Sequence, residues 1–146
     1  MQSQSMARIF GVYCVAAMLG LVSTGCSHPR TDRPETHPAS GFLFVANKPA
    51  AGAKVQLNPV DKNAPVGVYP HVVAERDGSF QLTTYTTHDG APVGTYALTM
   101  TWPLPSRPDR EEGPDRFAGR YSDRLHPVKQ VQIKTGKNDL GEIHLK

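Results

Sequence analysis

The chain has 146 residues, enough for one domain and some further sequence. Charged residues make up 20% and hydrophobic ones 38%, the formal charge is only +3, and acids and bases interleave as in PDREEGPDR. No basic face or stripe stands out, which excludes a nucleic-acid partner at this level. The two cysteines, Cys14 and Cys26, both precede any segment able to fold, which excludes a disulfide framework or a zinc cluster within the domain.

Residues 1–26 read MQSQSMARIFGVYCVAAMLGLVSTGC. Arg8 supplies a positive start, and Ile9 to Val22 form an uncharged apolar run of 14 residues. That length suits the apolar region of an export signal and is short of the roughly 20 residues of a spanning helix. The closing VSTGC resembles the lipobox of bacterial lipoproteins. The resemblance implies that residues 1–25 are removed and that Cys26 is acylated as the new first residue. Ser23, Thr24 and Gly25 would be read by the signal peptidase. Gly25 matches the small residue required before the cysteine, whereas Ser23 stands where leucine is commonest. Ser27 stands where an aspartate would usually signal inner-membrane retention, so in a two-membrane bacterium the outer membrane is implied. The alternative is an ordinary signal peptide with an incidental cysteine.

Residues 26–40 then read CSHPRTDRPETHPAS, with three prolines and no aliphatic side chain larger than Ala39. Such a segment is expected to be a lipid-anchored, extended tether without a core. His28 and His37 are expected to be solvated there, being weak candidates for metal.

From residue 41 to 146 no window shows a helical period. Thirteen Gly and thirteen Pro in the chain favour turns and short strands. Seven strands are predicted in chain order. GFLFVANK (41–48) sets Phe42 and Phe44 on one face, Leu43 and Val45 on the other. AKVQLNPV (53–60) points Val55 and Leu57 inward, and Lys54, Gln56 and Asn58 outward. HVVAE (71–75) is third, and SFQLTTY (79–85) is fourth with Phe80 and Leu82 inward. GTYALTMTW (94–102) aligns Tyr96, Leu98, Met100 and Trp102. HPVKQVQIK (126–134) buries Val131 and Ile133. DLGEIHLK (139–146) buries Ile143 and Leu145. The spacing predicts an all-β fold, a seven-stranded antiparallel β-sandwich. The half-polar alternation argues against a buried parallel sheet.

The segments KPAAGAKVQLNPV, DGSFQLTTY, DGAPVGTYALTMTW, GRYSD and VQIKTGKNDLGEIHL together resemble small bacterial lipoproteins with a carboxypeptidase-regulatory-like, transthyretin-like domain. The resemblance covers nearly all of 41–146 and implies a prealbumin-like sandwich. It implies no activity, since such domains serve mainly as accessory, binding or structural modules. The fold has an enzyme branch, the hydroxyisourate hydrolases, which end in Tyr-Arg-Gly-Ser. This chain ends GEIHLK, and its nearest string, AGRYSD around Arg120 and Tyr121, is internal and differently ordered.

No catalytic residue is expected. His88 and Asp89 are adjacent, and neighbouring side chains on an extended strand point apart. Asp89-Gly90-Ala91-Pro92 reads as turn chemistry. Asp109, Glu111, Glu112 and Asp115 offer oxygen ligands, but without the regular spacing of a calcium loop and among Arg107, Arg110, Arg116, Arg120 and Arg124. Neither metal nor cofactor is expected, and His71, His126 and His144 are taken as surface residues on separate strands. The loop from Pro103 to Ala118 is long, proline-rich and charged. It is the candidate binding surface, with Trp102, Arg107, Arg110, Phe117, Arg120 and Tyr121. The alternative is that Trp102 and Tyr121 only close the sandwich end. The expected role is therefore a lipid-anchored, non-catalytic module of the cell envelope, structural or binding. A membrane would hold it through the anchor, and the partner would be an envelope protein or a glycan.

Overall fold

The computed structural model describes residues 33–106 and 112–146. Among these residues there is no helix, and ten strands form. They are β1 Thr36–His37, β2 Ala39–Val45, β3 Lys48–Pro49, β4 Lys54–Pro59, β5 His71–Val73, β6 Ser79–Gln81, β7 Ala91–Pro92, β8 Gly94–Thr101, β9 Lys129–Ile133 and β10 Asn138–Leu145.

One sheet runs β10-β2-β3 with β6 also paired to β2, a second runs β5-β4-β8-β9, and β1 pairs with β7. The two larger sheets feed one core. Leu43 of β2, Phe80 of β6 and Ile143 of β10 join Val55 and Leu57 of β4, Leu98 and Met100 of β8, and Ile133 of β9. Every one of these alternates with an outward residue, as the strand pleat requires. The inward residues predicted for the fourth, fifth and sixth strands lie where expected, except that Trp102 is only half-buried.

Four expectations change. The tether does not extend to residue 40: β1 and the start of β2 fall inside it, with His37 7% and Ala39 4% exposed. Backbone bonds hold this segment where large side chains are lacking. Leu82 N–H donates to Ala39 O and Asn138 N–H to Pro38 O. Gly90 makes room for it, because a Cβ there would lie 1.9 Å from His37 O. His37 is thus a core residue, its Nδ1 accepting from Gly136 N–H at 3.3 Å.

The sheets are also not wholly antiparallel. β10 runs parallel to β2, from Asn138↔Ala39 to Leu145↔Val45, with a bulge between Asp139 and Glu142. A parallel pair needs a long crossover, and nearly the whole domain lies between these two strands. The predicted 41–48 strand is broken at Ala46 and Asn47, whose φ values of 48° and 61° make a tight hairpin into β3. Last, Asn58 faces outward as expected but is buried at 8% exposure, beside Thr99 at 5%.

Candidate functional site

His88 and Asp89 sit in the connection between β6 and β7. The Asp89 carboxylate accepts from three successive backbone N–H groups: Thr84 at 2.7 Å, Tyr85 at 2.9 Å and Thr86 at 3.0 Å. Burial raises the pKa of this acid, but those N–H groups outweigh it, so Asp89 is held below the ordinary carboxylate value. The carboxylate organises the turn and is not directed at the His88 ring. His88 itself is left-handed, with φ of 61°, and its N–H donates to Thr83 Oγ1 at 3.0 Å.

The 103–118 loop is built on Asp115. Its Oδ1 accepts from Trp102 N–H at 2.6 Å and its Oδ2 from Gly119 N–H at 2.8 Å. Arg116 N–H donates to Trp102 O, and Leu104 N–H to Pro114 O, closing the two arms of the loop on each other. Glu112 pairs with Lys54 at 2.5 Å, both half exposed. Such a pair contributes little to stability. Asp115 and Glu112 are therefore engaged by the protein's own donors. Asp109, Glu111, Arg107 and Arg110 lie outside the described residues.

The structure brings the remaining predicted surface residues together. The Trp102 and Phe117 rings are 6.3 Å apart, and Phe117 meets Tyr121 edge-on at 5.1 Å. Arg116 lies 4.6 Å over the Trp102 ring and Arg120 5.5 Å over that of Tyr121. Their polar atoms are used internally. The Trp102 indole N–H donates to Ala51 O at 2.9 Å, and Tyr121 O–H to Lys146 O at 2.7 Å. All three rings pack against the core while their cationic neighbours stay exposed. The cluster packs against the core and presents guanidinium groups outward.

The three surface histidines stay apart. His71 Nδ1 lies 3.2 Å from Tyr69 O, His126 Nδ1 2.7 Å from Asp123, and His144 Nε2 3.0 Å from Glu142. Among the described residues no three His, Cys, Asp or Glu side chains converge. Ser23, Thr24, Gly25 and Cys26 lie outside the described residues.

Two surfaces escaped the sequence reading. On the outer face of the second sheet, Gln56 Nε2 donates to Asn58 Oδ1 at 2.8 Å, and Asn58 Nδ2 to Thr99 Oγ1 at 2.9 Å and to Ala97 O at 3.3 Å. These side chains floor a cavity of ≈390 Å³ that also involves Lys54, His71 and Thr101. On the outer face of the first sheet, Phe42 and Phe44 stack at 6.4 Å, and Phe44 stacks on His144 at 5.0 Å. The alternation F-x-F signalled a shared face in the sequence. Which face met solvent depended on the register of β2 with β10 and β6, which pairs Phe44 with His144 and Phe42 with Ser79.

No family model and no curated protein matches this chain. Among solved structures, a 9R-lipoxygenase from Cyanothece PCC8801 is similar at a TM-score of 0.45 and 17% identity, over 78% of this chain. The chain spans 17% of that lipoxygenase.

Proposed function

We propose that this chain is a lipid-anchored cell-envelope module with a structural or binding role and no catalysis. The observation that carries the reading is the N-terminal order: Arg8, the apolar run Ile9 to Val22, then VSTGC. Cys26 is the acylated residue, and Gly25 lets the signal peptidase approach. One acyl chain gives only marginal binding, whereas the two or three of a lipoprotein hold a domain firmly. The outer membrane is the address where the cell has two, because Ser27 follows the cysteine.

The fold we assign is the seven-stranded, prealbumin-like sandwich of the transthyretin-like domains. What supports it is that seven of the ten strands are three residues or longer, β2, β4, β5, β6, β8, β9 and β10. These coincide with the seven predicted from alternation. The three two-residue strands are β1, in the segment before residue 40, β3, after the turn at Ala46–Asn47, and β7, which pairs with β1. A second reading, a module that binds carbohydrate or another small ligand through the 103–118 loop, is favoured by the Arg116–Trp102 stack.

The anchor is tested by fractionation. Cys26→Ser is expected to move the protein out of the membrane fraction and abolish lipid labelling. Retention of the variant in the membrane would overturn the assignment.

A further inference from the structure

The outer face of the first sheet carries a cleft that neither the anchor nor the 103–118 loop explains. It has ≈240 Å³ of volume and is lined by Ser40, Phe42, Ser79, Gln81, Lys137 and Asp139. A second cleft of ≈170 Å³ shares Ser40, Gln81 and Lys137, and reaches His88. Strand register assembles it. Ser40 lies opposite Gln81 and beside Asp139, while Phe42 lies opposite Ser79 and beside Glu142. Next to it Phe42, Phe44 and His144 stack face against face, with interplanar angles of 14° and 15°, and Phe42, at the end of the stack, lines the cleft. Phe42 is 43% exposed.

We infer that this cleft, walled by Phe42, binds a neutral saccharide. The inference deepens the binding role proposed above, by naming a ligand class and a face, and it stands whether or not Cys26 is acylated. Charge points to the ligand first. Lys137 and Asp139 put one cation and one carboxylate on the same small cleft, so it carries no net charge to select an anion or a cation, and either would meet a like charge beside its opposite one. A neutral ligand rich in hydroxyl groups meets none, and each hydroxyl both donates and accepts. Ser40, Ser79 and Gln81 supply neutral donors and acceptors, and Asp139 an exposed carboxylate whose Oδ1 is steadied by Gly141 N–H at 2.9 Å. Phe42 supplies the second half of the recognition. A sugar ring has an apolar C–H face, and the exposed Phe42 ring can pack on it while the hydroxyl groups reach the cleft.

A second copy of the chain is the poorer occupant. The stack exposes on the order of 250 Å² of ring surface, from typical aromatic areas, against roughly 800 Å² per partner in a stable dimer.

The test is an NMR titration of the full chain, held in a detergent without a sugar headgroup, with maltohexaose, cellohexaose and N-acetylchitohexaose. The expected result is saturable movement of the Phe42, Phe44 and His144 ring signals with at least one of the three. Phe42→Ala should weaken that binding about tenfold, the worth of a lost stacking contact, with at most a small fall in melting temperature because Phe42 is 43% exposed and outside the core cluster. Asp139→Asn keeps the oxygen that Gly141 uses and should weaken binding as well. The inference is overturned if all three sugars at millimolar concentration leave these rings unmoved, or if binding survives Phe42→Ala undiminished. Signals moving at Trp102 and Phe117 instead would also overturn it and transfer the ligand to the loop. A Phe42-dependent dimer in sedimentation, without sugar binding, would give the face to a second copy and overturn it too.

Discussion

Asp89 accepts three backbone N–H groups that no strand partner serves, and its side chain therefore decides the course of residues 82–90. Asp89→Asn would keep one oxygen for Thr84 but turn an amide group toward the donors of Tyr85 and Thr86. The expected cost at neutral pH is about 1–2 kcal/mol, the scale of charge-assisted hydrogen bonds. Because the folded-state pKa is lowered from 3.8, this stability is present above the unfolded value and is lost as pH falls through the folded one. Denaturation curves of both proteins at neutral and acid pH should therefore converge on acidification. The turn role of Asp89 was legible in the sequence from Asp-Gly-Ala-Pro alone. The burial of His37 was not, because it rests on Gly136 and on the room left by Gly90, both remote in the chain. Nor could the sequence show that Asp115 would be consumed by Trp102 and Gly119, since a carboxylate among arginines reads equally as a solvated ion pair.

β8 is the element on which the second sheet depends. Tyr96, Leu98 and Met100 face the core, and Ala97 and Thr99 are buried on the opposite face, so the strand is enclosed on both sides. Tyr96 is fully buried and donates to Pro92 O at 2.9 Å. Burial, with the nearby Tyr85 and Asp61 charges, pushes its hydroxyl from the ordinary 10.0 up to about 12. The neutral phenol is thus favoured in the folded state. Stability from this group is complete below the unfolded value and drains away as pH rises toward the folded one. Wild-type protein is expected to lose stability between pH 10.0 and about 12. Tyr96→Phe should lose about 1 kcal/mol at neutral pH from the missing hydrogen bond and show a flatter alkaline limb in the same denaturation series. Alternation made β8 the clearest strand in the sequence. Its partners were not readable there, because pairing is a property of two distant segments. The Asn58–Thr99 bond and the Phe44–His144 stack exist only once register brings β4 to β8 and β2 to β10. Both missed surfaces have that origin, whereas Trp102, Phe117 and Tyr121 were found because they flank one loop.

For the whole molecule, the strand pattern of the sequence carried over to the all-β architecture, whereas the expected wholly antiparallel pairing failed at the parallel β2–β10 pair. Nine residues, 27–35, separate Cys26 from the start of β1 at Thr36. Fully extended, the ten Cα steps from Cys26 to Thr36 reach at most about 36 Å. In the proposed role the domain works within that distance of the membrane, close enough to hold a surface glycan or an envelope partner. The intact mass of the protein extracted from membranes of its own cells tests this account most directly. The expected species begins at Cys26 and carries a diacylglyceryl group on Sγ, with or without a further acyl chain on its amino group. A mature chain in the soluble fraction, with an unmodified Cys26 or starting elsewhere, would contradict it.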